Sequence, residues 1–288
     1  MDAAARIENA LRNAVGSAAA DAPPALANAL SHAVFPGGAR VRPLLTVAVA
    51  EACGDAAPDA ALACAAGIEL LHAASLVHDD MPCFDDAATR RGVPSVHAAY
   101  GEPTALLVGD ALIVLAFETV ARAASEGNFR CGPLIRIIAQ AAGAPGGLVA
   151  GQAWELEGGA SAARCRSAKT AALFVAATTS GALVGGGAPT AWRMLGQKLG
   201  EAYQIADDLL DAVADAEEAG KPVGQDERCE RPSAVKELGV EGALAELQGM
   251  IEAAVTSIPD CAGADDLAKL VRLQAVRLAP KSLVRSAA

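Results

Sequence analysis

Ile68-Glu69-Leu70-Leu71-His72-Ala73-Ala74-Ser75-Leu76-Val77-His78-Asp79-Asp80-Met81-Pro82-Cys83-Phe84-Asp85-Asp86 is an apolar helical run that ends in two aspartate pairs with a proline between them. Carboxylates are costly to bury unless they are paired or bound to cations, yet these follow directly on the hydrophobic residues Ile68 to Val77. The pattern recurs far down the chain, where Leu199 to Ala206 runs into Asp207-Asp208-Leu209-Leu210-Asp211. One such cluster is as easily a solvated acidic helix end, because charged faces are ordinary. Two clusters of one design, each followed by basic residues, point instead to two opposed sites for divalent metal ions.

Around these clusters the composition is that of a helical protein. Of 288 residues 53% are hydrophobic and only 3% aromatic, and β-branched runs are short, so the expected core is many close-packed helices rather than a sheet. Apolar residues recur at helical spacing, interrupted at Pro23-Pro24, Pro36-Gly37-Gly38, Gly143 to Gly147, Gly185 to Pro189 and Pro222 to Gly224. Such punctuation divides the chain into roughly ten or more helices. With no linker or low-complexity tract, the expectation is a single all-α domain over residues 1–288. Two longer irregular segments, Pro82 to Pro103 and Gly220 to Pro232, each follow an aspartate cluster and could close over a site between them.

The formal charge of −11 argues against nucleic acid or an anionic membrane as the general partner. Seven cysteines form no C-x-x-C pair and have no zinc spacing, which fits reduced thiols and a cytoplasmic protein without disulfides. The amphipathic start, Met1 to Glu8, has no apolar core of a signal peptide. The longest apolar stretch, Ala105 to Ala121, is broken by Asp110 and Glu118 and falls short of the ~20 residues of a bilayer span. It reads as a buried core helix, and no membrane span is expected.

Asp207 and Asp211 are four apart, so on a helix their carboxylates share a face, separated along the axis by roughly 6 Å. Asp79 and Asp85 would diverge on an unbroken helix, but a chain that leaves helical geometry near Pro82 can bring them back together. Carboxylates without converging His or Cys select a hard ion such as Mg²⁺, which keeps several waters and is completed by substrate phosphates. Isolated cations near glycine turns or aspartates suit a diphosphate: Arg40 and Arg42 after Gly37-Gly38, Arg90-Arg91, Lys169 beside Thr170, and Lys221. Each of these alone is more often a surface charge. A lone helical His, such as His72 or His78, is usually a hydrogen-bonded structural group.

Taken in order, the motifs resemble those of the trans-isoprenyl diphosphate synthases. They run from Gly37-Gly38-Ala39-Arg40-Val41-Arg42-Pro43 through Glu69-Leu70-Leu71-His72, the first aspartate cluster, Arg90-Arg91-Gly92, Gly109-Asp110-Ala111-Leu112, Gly151-Gln152 and Lys169-Thr170. Tyr203-Gln204-Ile205-Ala206-Asp207-Asp208-Leu209-Leu210-Asp211 and Gly220-Lys221-Pro222 complete the series. Met81 to Asp86, Gly224-Gln225-Asp226 and Arg231 to Val235 are most like the bacterial geranylgeranyl diphosphate synthases of carotenoid and photosynthetic-pigment pathways.

The resemblance implies an isoprenoid-synthase bundle around a central cavity. The implied reaction is Mg²⁺-dependent, head-to-tail condensation of isopentenyl diphosphate with dimethylallyl, geranyl or farnesyl diphosphate. Asp79 and Asp85 would hold two Mg²⁺ ions, and Asp207, helped by Asp208 and Asp211, a third. Arg90, Lys169 and Lys221 would hold the allylic diphosphate, and Arg42, His72 and Arg91 the isopentenyl diphosphate. Thr170 and Gln204 would turn their oxygens to the allylic cation. A homodimer is the family's common assembly. Ala39 stands where the family usually has a Lys that contacts isopentenyl diphosphate, which weakens that site or shifts the task to Arg40. Family members also more often carry Lys at Gln225 and near Arg231.

Small Ala74 and Ser75, just before the first cluster, favour a geranylgeranyl (C20) product, since farnesyl (C15) producers commonly carry an aromatic residue there. The bland alternative is that both only permit close helix packing, with the tunnel floor elsewhere, for example near Val108 to Leu112. Farnesyl diphosphate synthase is the nearest competing reading. A non-catalytic subunit of another prenyl synthase is disfavoured by intact metal motifs. A terpene cyclase would have Asn, Ser and Glu in its second motif.

Overall fold

Two prolines start helices where their missing N–H groups cost nothing. Pro24 opens α2 (Pro24–Val34), and Pro58 opens α4 (Pro58–Asp79), the helix that carries the first aspartates. In the computed structural model, which describes residues 2–126, 131–157, 167–213 and 233–278, these belong to an all-helical architecture. The order continues from α1 (Ala3–Ala19), α2, α3 (Val41–Ala52) and α4 through a two-residue ribbon, Thr89–Arg90 against Val93–Pro94, to α5 (Val96–Tyr100) and α6 (Glu102–Glu126). There follow α7 (Cys131–Ala142), α8 (Leu148–Glu157), a wide π-helical turn (Ser167–Ala171), α9 (Ala172–Gly185), a 3₁₀ turn (Pro189–Trp192), α10 (Arg193–Val213), α11 (Ala234–Thr256) and α12 (Ala264–Leu278).

α4 is apolar on every side, and such a helix must be central. It packs against α1, α2, α3, α6 and α9 and buries Ile68, Leu70, Leu71, Ala74 and Val77. Small residues set the spacing. A Cβ on Gly67 would stand 2.9 Å from Val120 and 3.1 Å from the Ala116 carbonyl, so α4 and α6 meet nearly backbone to backbone. Further along the pair, a Cβ on Gly109 of α6 would fall within the His78 ring. These two contacts make the helices antiparallel and place Ala74 between them. Phe174, Leu173 and Leu195 fill the other side of the core.

Three expectations change. α6 is not simply a buried core helix: Leu106, Leu107 and Val114 are exposed while Ala105, Val108, Leu112 and Leu115 are buried, because only one face meets α4. Pro82 to Pro103 is not irregular throughout, since it forms the ribbon and α5, and Pro103 lies inside α6. Third, helices long and apolar enough to cross a membrane do exist at Pro58–Asp79, Glu102–Ser125 and Ala168–Gly185. Their apolar windows are 83%, 44% and 78% buried within the protein. The segment Gly220 to Pro232 lies outside the described residues. Among the described cysteines Cys53, Cys64, Cys83, Cys131 and Cys261 are free thiols, and burial pushes Cys64 up to about 12 and Cys53 up to about 11.

Candidate active site

α4 stops at Asp79, and the chain then folds back on its own end. Asp85 N–H donates to the Asp79 carbonyl at 2.9 Å, while Phe84 and Asp86 N–H donate to the Met81 carbonyl at 2.9 and 3.1 Å. The proline break thus returns Asp85 to the end of the helix that carries Asp79. Asp86 takes a left-handed backbone at φ 48°, and His97 braces it: Nε2 lies 3.8 Å from Asp86 Oδ1, and Nδ1 lies 3.0 Å from Ser95 Oγ.

Asp80 faces the other way, into protein. Arg90 donates from Nε to both of its oxygens, at 3.0 and 3.2 Å, and from Nη2 to Oδ1. Burial raises the Asp80 pKa even against this fork. For Arg90, burial works against the charge but is outweighed by Asp80, Asp79 and Asp207, and the pKa rises. Arg90 therefore sits in the field of both aspartate clusters.

Beside this lies a cationic group. Arg91 donates to the Gly37 carbonyl, and a Cβ on Gly38 would stand 2.8 Å from the Arg91 guanidinium carbon. Gly37 and Gly38 have φ of 98° and 142°, a backbone that side chains other than glycine rarely adopt; the turn is a cradle for Arg91. Buried Arg42 stacks its guanidinium over Phe174 at 4.7 Å and Tyr203 at 5.1 Å, and its Nε has no hydrogen-bond partner among the described residues. Burial holds His72 well below its usual pKa, and Arg42, Arg91, Arg90 and Arg40 push it further down. Burial and the like charges of Arg40 and Arg90 also depress Arg91, although Glu69 and Tyr203 oppose them. Cations crowded this closely mark a place for an anion.

Arg40 does not join them. It donates to Glu8 and Glu69, both at 2.7 Å, and to the Val34 carbonyl at 2.8 Å. This buried network ties α1 and the α2–α3 turn to α4, so Arg40 is committed to the fold and cannot take over for the missing lysine at Ala39, which is exposed.

The second cluster lies within the last two turns of α10 as described. Asp208, expected to help Asp207 hold a metal, is also tied into the protein. Its oxygens accept from Gln204 Nε2 at 2.9 Å and from Ala234 N–H at 2.7 Å, the latter at the first turn of α11, whose positive end favours a carboxylate. Asp207 is more open than Asp208 or Asp211. Thr170 Oγ donates to Gln204 Oε1 at 2.7 Å, so Thr170, Gln204, Asp208 and α11 form one chain of hydrogen bonds. Lys169, in the π-helical turn, reaches Glu155 Oε2 at 2.6 Å and Asp79 Oδ2 at 3.5 Å. Asp79 Oδ1 accepts from Gln152 Nε2 at 2.8 Å. Gln152 stood in a quoted motif without a role, and Glu155 and the His97 brace carried no signal in the sequence, because each acts on a distant element.

Ala74 and Ser75 are buried, and Ser75 Oγ donates to the His72 carbonyl at 2.8 Å. An apolar pocket lies between α3, α9, α10, α11 and α12, lined by Val41, Leu44, Phe174, Ile251 and Leu270 among others. Lys221 lies outside the described residues.

No three His, Cys, Asp or Glu side chains among the described residues converge to hold an ion by themselves. The donors are nevertheless all oxygen, and the Lys169 ammonium already stands against Asp79 Oδ2 as a cation would. This suits Mg²⁺, which binds through one or two carboxylates and completes its shell with water and phosphate.

Residues 23–265 match the polyprenyl synthetase family. The chain is 50% identical to the geranylgeranyl diphosphate synthase of Cereibacter sphaeroides over 96% of both chains, and 50% identical to that of Rhodobacter capsulatus over 95% of both. Its fold matches that of a Helicobacter pylori geranyltransferase complexed with magnesium and isoprenyl diphosphate, with a TM-score of 0.78 and 28% identity over 94% of this chain and 96% of that one.

Proposed function

Because the chain belongs to the polyprenyl synthetase family, we propose that it condenses isopentenyl diphosphate head to tail with allylic diphosphates and ends at geranylgeranyl diphosphate. The observation that carries the reading is the placing of charge. Arg90 feels both aspartate clusters, and the group of His72, Arg42 and Arg91 gives a second, metal-free anion site next to it.

In this reading Asp79, Asp85, Arg90, Lys169 and Lys221 face the allylic diphosphate from one side, and Asp207 with Asp211 from the other. Arg42, His72 and Arg91 hold isopentenyl diphosphate. Burial and the neighbouring arginines favour the neutral His72 ring, which donates a hydrogen bond without adding charge. Bound Mg²⁺, three ions with substrate in place, would be held by Asp79, Asp85 and Asp207 and would neutralise the leaving diphosphate. Arg90 and Lys169 aim further positive charge at the same oxygens, in a site from which substrates exclude water. The allylic C–O bond breaks with its electron pair on the diphosphate. Thr170 gives its hydroxyl hydrogen to Gln204, so only lone pairs remain to face the allylic cation. Asp208 acts through Gln204, fixing its amide. The isopentenyl double bond then attacks the cation, and the proton lost passes to the departed diphosphate.

The same reading takes residues 1–288 as one domain of a cytoplasmic homodimer without a membrane span. Exposed Leu106, Leu107 and Val114 on α6 supply an apolar face for a second copy. Incubating the purified protein with Mg²⁺, isopentenyl diphosphate and each allylic primer tests the proposal. C20 product is expected; C15 product would make it a farnesyl diphosphate synthase, and no product would make it a non-catalytic subunit.

A further inference from the structure

α8 carries two polar side chains, three residues apart, for which the condensation gives no role. Gln152 grips Asp79 Oδ1 at 2.8 Å and reaches toward the Ser75 carbonyl at 3.5 Å. Glu155 takes the Lys169 ammonium at 2.6 Å, while the same ammonium stands 3.5 Å from Asp79 Oδ2. Their approach depends on Gly151, where a Cβ would come within 2.5 Å of the Lys169 backbone nitrogen. One helix thus contacts both a carboxylate and a cation of the proposed diphosphate site.

Glu155 and Asp79 compete for one ammonium, and Glu155 is the nearer. An ammonium on a flexible four-carbon stem moves to whichever anion is strongest. Without Glu155 it would settle on Asp79 and neutralise the carboxylate that has to receive a metal cation. We propose that Glu155 is a positioning residue: it holds the Lys169 ammonium at 2.6 Å and so keeps it 3.5 Å from Asp79 Oδ2 rather than in direct contact, weakening its hold on that oxygen so that a divalent cation can displace it, and yields the ammonium when a diphosphate arrives. The proposal rests on the site reading given above. Gln152 supports it by fixing the other Asp79 oxygen, so that Oδ2 is the one left to the ammonium or the cation.

The test is calorimetric binding of inorganic diphosphate at a series of Mg²⁺ concentrations, which needs no turnover. Glu155→Gln keeps shape and removes charge. It should raise the Mg²⁺ concentration for half-maximal binding about two- to fivefold, the size of a partly exposed ion pair, and leave binding at saturating Mg²⁺ nearly unchanged. Glu155→Asp should restore most of the shift, and in a Lys169→Met background Glu155→Gln should produce none. No shift, or an equal shift in both backgrounds, overturns the proposal. If Asp79→Ala leaves the Mg²⁺ requirement unchanged, the site reading itself fails and the proposal falls with it.

Discussion

Arg42→Lys separates packing from recognition at the isopentenyl site, because the two roles act in different states of the protein. The guanidinium stacks on Phe174 at 4.7 Å and Tyr203 at 5.1 Å. That interaction lies within the protein itself, so its loss must appear in stability. Arg42 is only 7% exposed, which puts each contact toward the stronger end of cation–π energies; with lysine keeping part of both, the net loss is about 1–2 kcal/mol. For a chain of this size that lowers Tm by about 2–8 °C. A diphosphate contact exists only in the complex, so its loss must appear in KM. Lysine keeps the charge but not the planar fork, forfeiting one charge-assisted hydrogen bond, and KM for isopentenyl diphosphate should rise on the order of tenfold. KM for the allylic substrate should stay within about twofold, since Arg42 does not face it in our reading. Steady-state kinetics with each substrate varied, alongside a thermal melt, measures both quantities. If Tm falls as expected while KM for isopentenyl diphosphate does not move, Arg42 is a packing residue and the assignment is wrong.

Asp79→Ala or Asp207→Ala should each lower turnover by several orders of magnitude, as when electrostatic stabilisation of a leaving group is removed; near-normal kcat in either would remove that residue from the metal site. Ala39→Lys should lower KM for isopentenyl diphosphate by about two- to tenfold, the worth of one partly solvated charge contact, because Arg40 is held by Glu8 and Glu69 and cannot serve. An unchanged KM would mean that the existing cations already saturate that diphosphate. Ala74→Phe should shift the product from C20 to C15 while C10-to-C15 condensation persists. Because Ala74 is buried on α4, a melt checks the alternative: destabilisation by about 1–3 kcal/mol with C20 still the main product would make it a packing position.

Much of this protein was legible in local pattern. Apolar spacing marks the helices, Pro82 marks where α4 must end, Asp79 and Asp85 flank that end, and Asp207 and Asp211 share a face of α10 by their spacing of four. Such features depend on a few neighbouring residues, and helical periodicity transmits them directly to one face. What the tertiary structure alone decided is which of several like residues remain available. Asp80 and Asp79 are adjacent in sequence, yet Asp80 is taken by the Arg90 fork, whereas Asp79 meets Gln152 and Lys169 instead. Asp208 accepts from Gln204 and the start of α11, while Arg40 is spent on Glu8 and Glu69 and Arg42 is stacked on Phe174. The exposed Leu106, Leu107 and Val114 of α6 are the same kind of outcome, for Asp110 and Glu118 mark its outer side in the sequence but only the packing of α4 and its neighbours leaves these apolar residues uncovered. A buried charge must find a partner, and that partner comes from whatever element packs against it, so the choice depends on contacts between residues far apart in the chain.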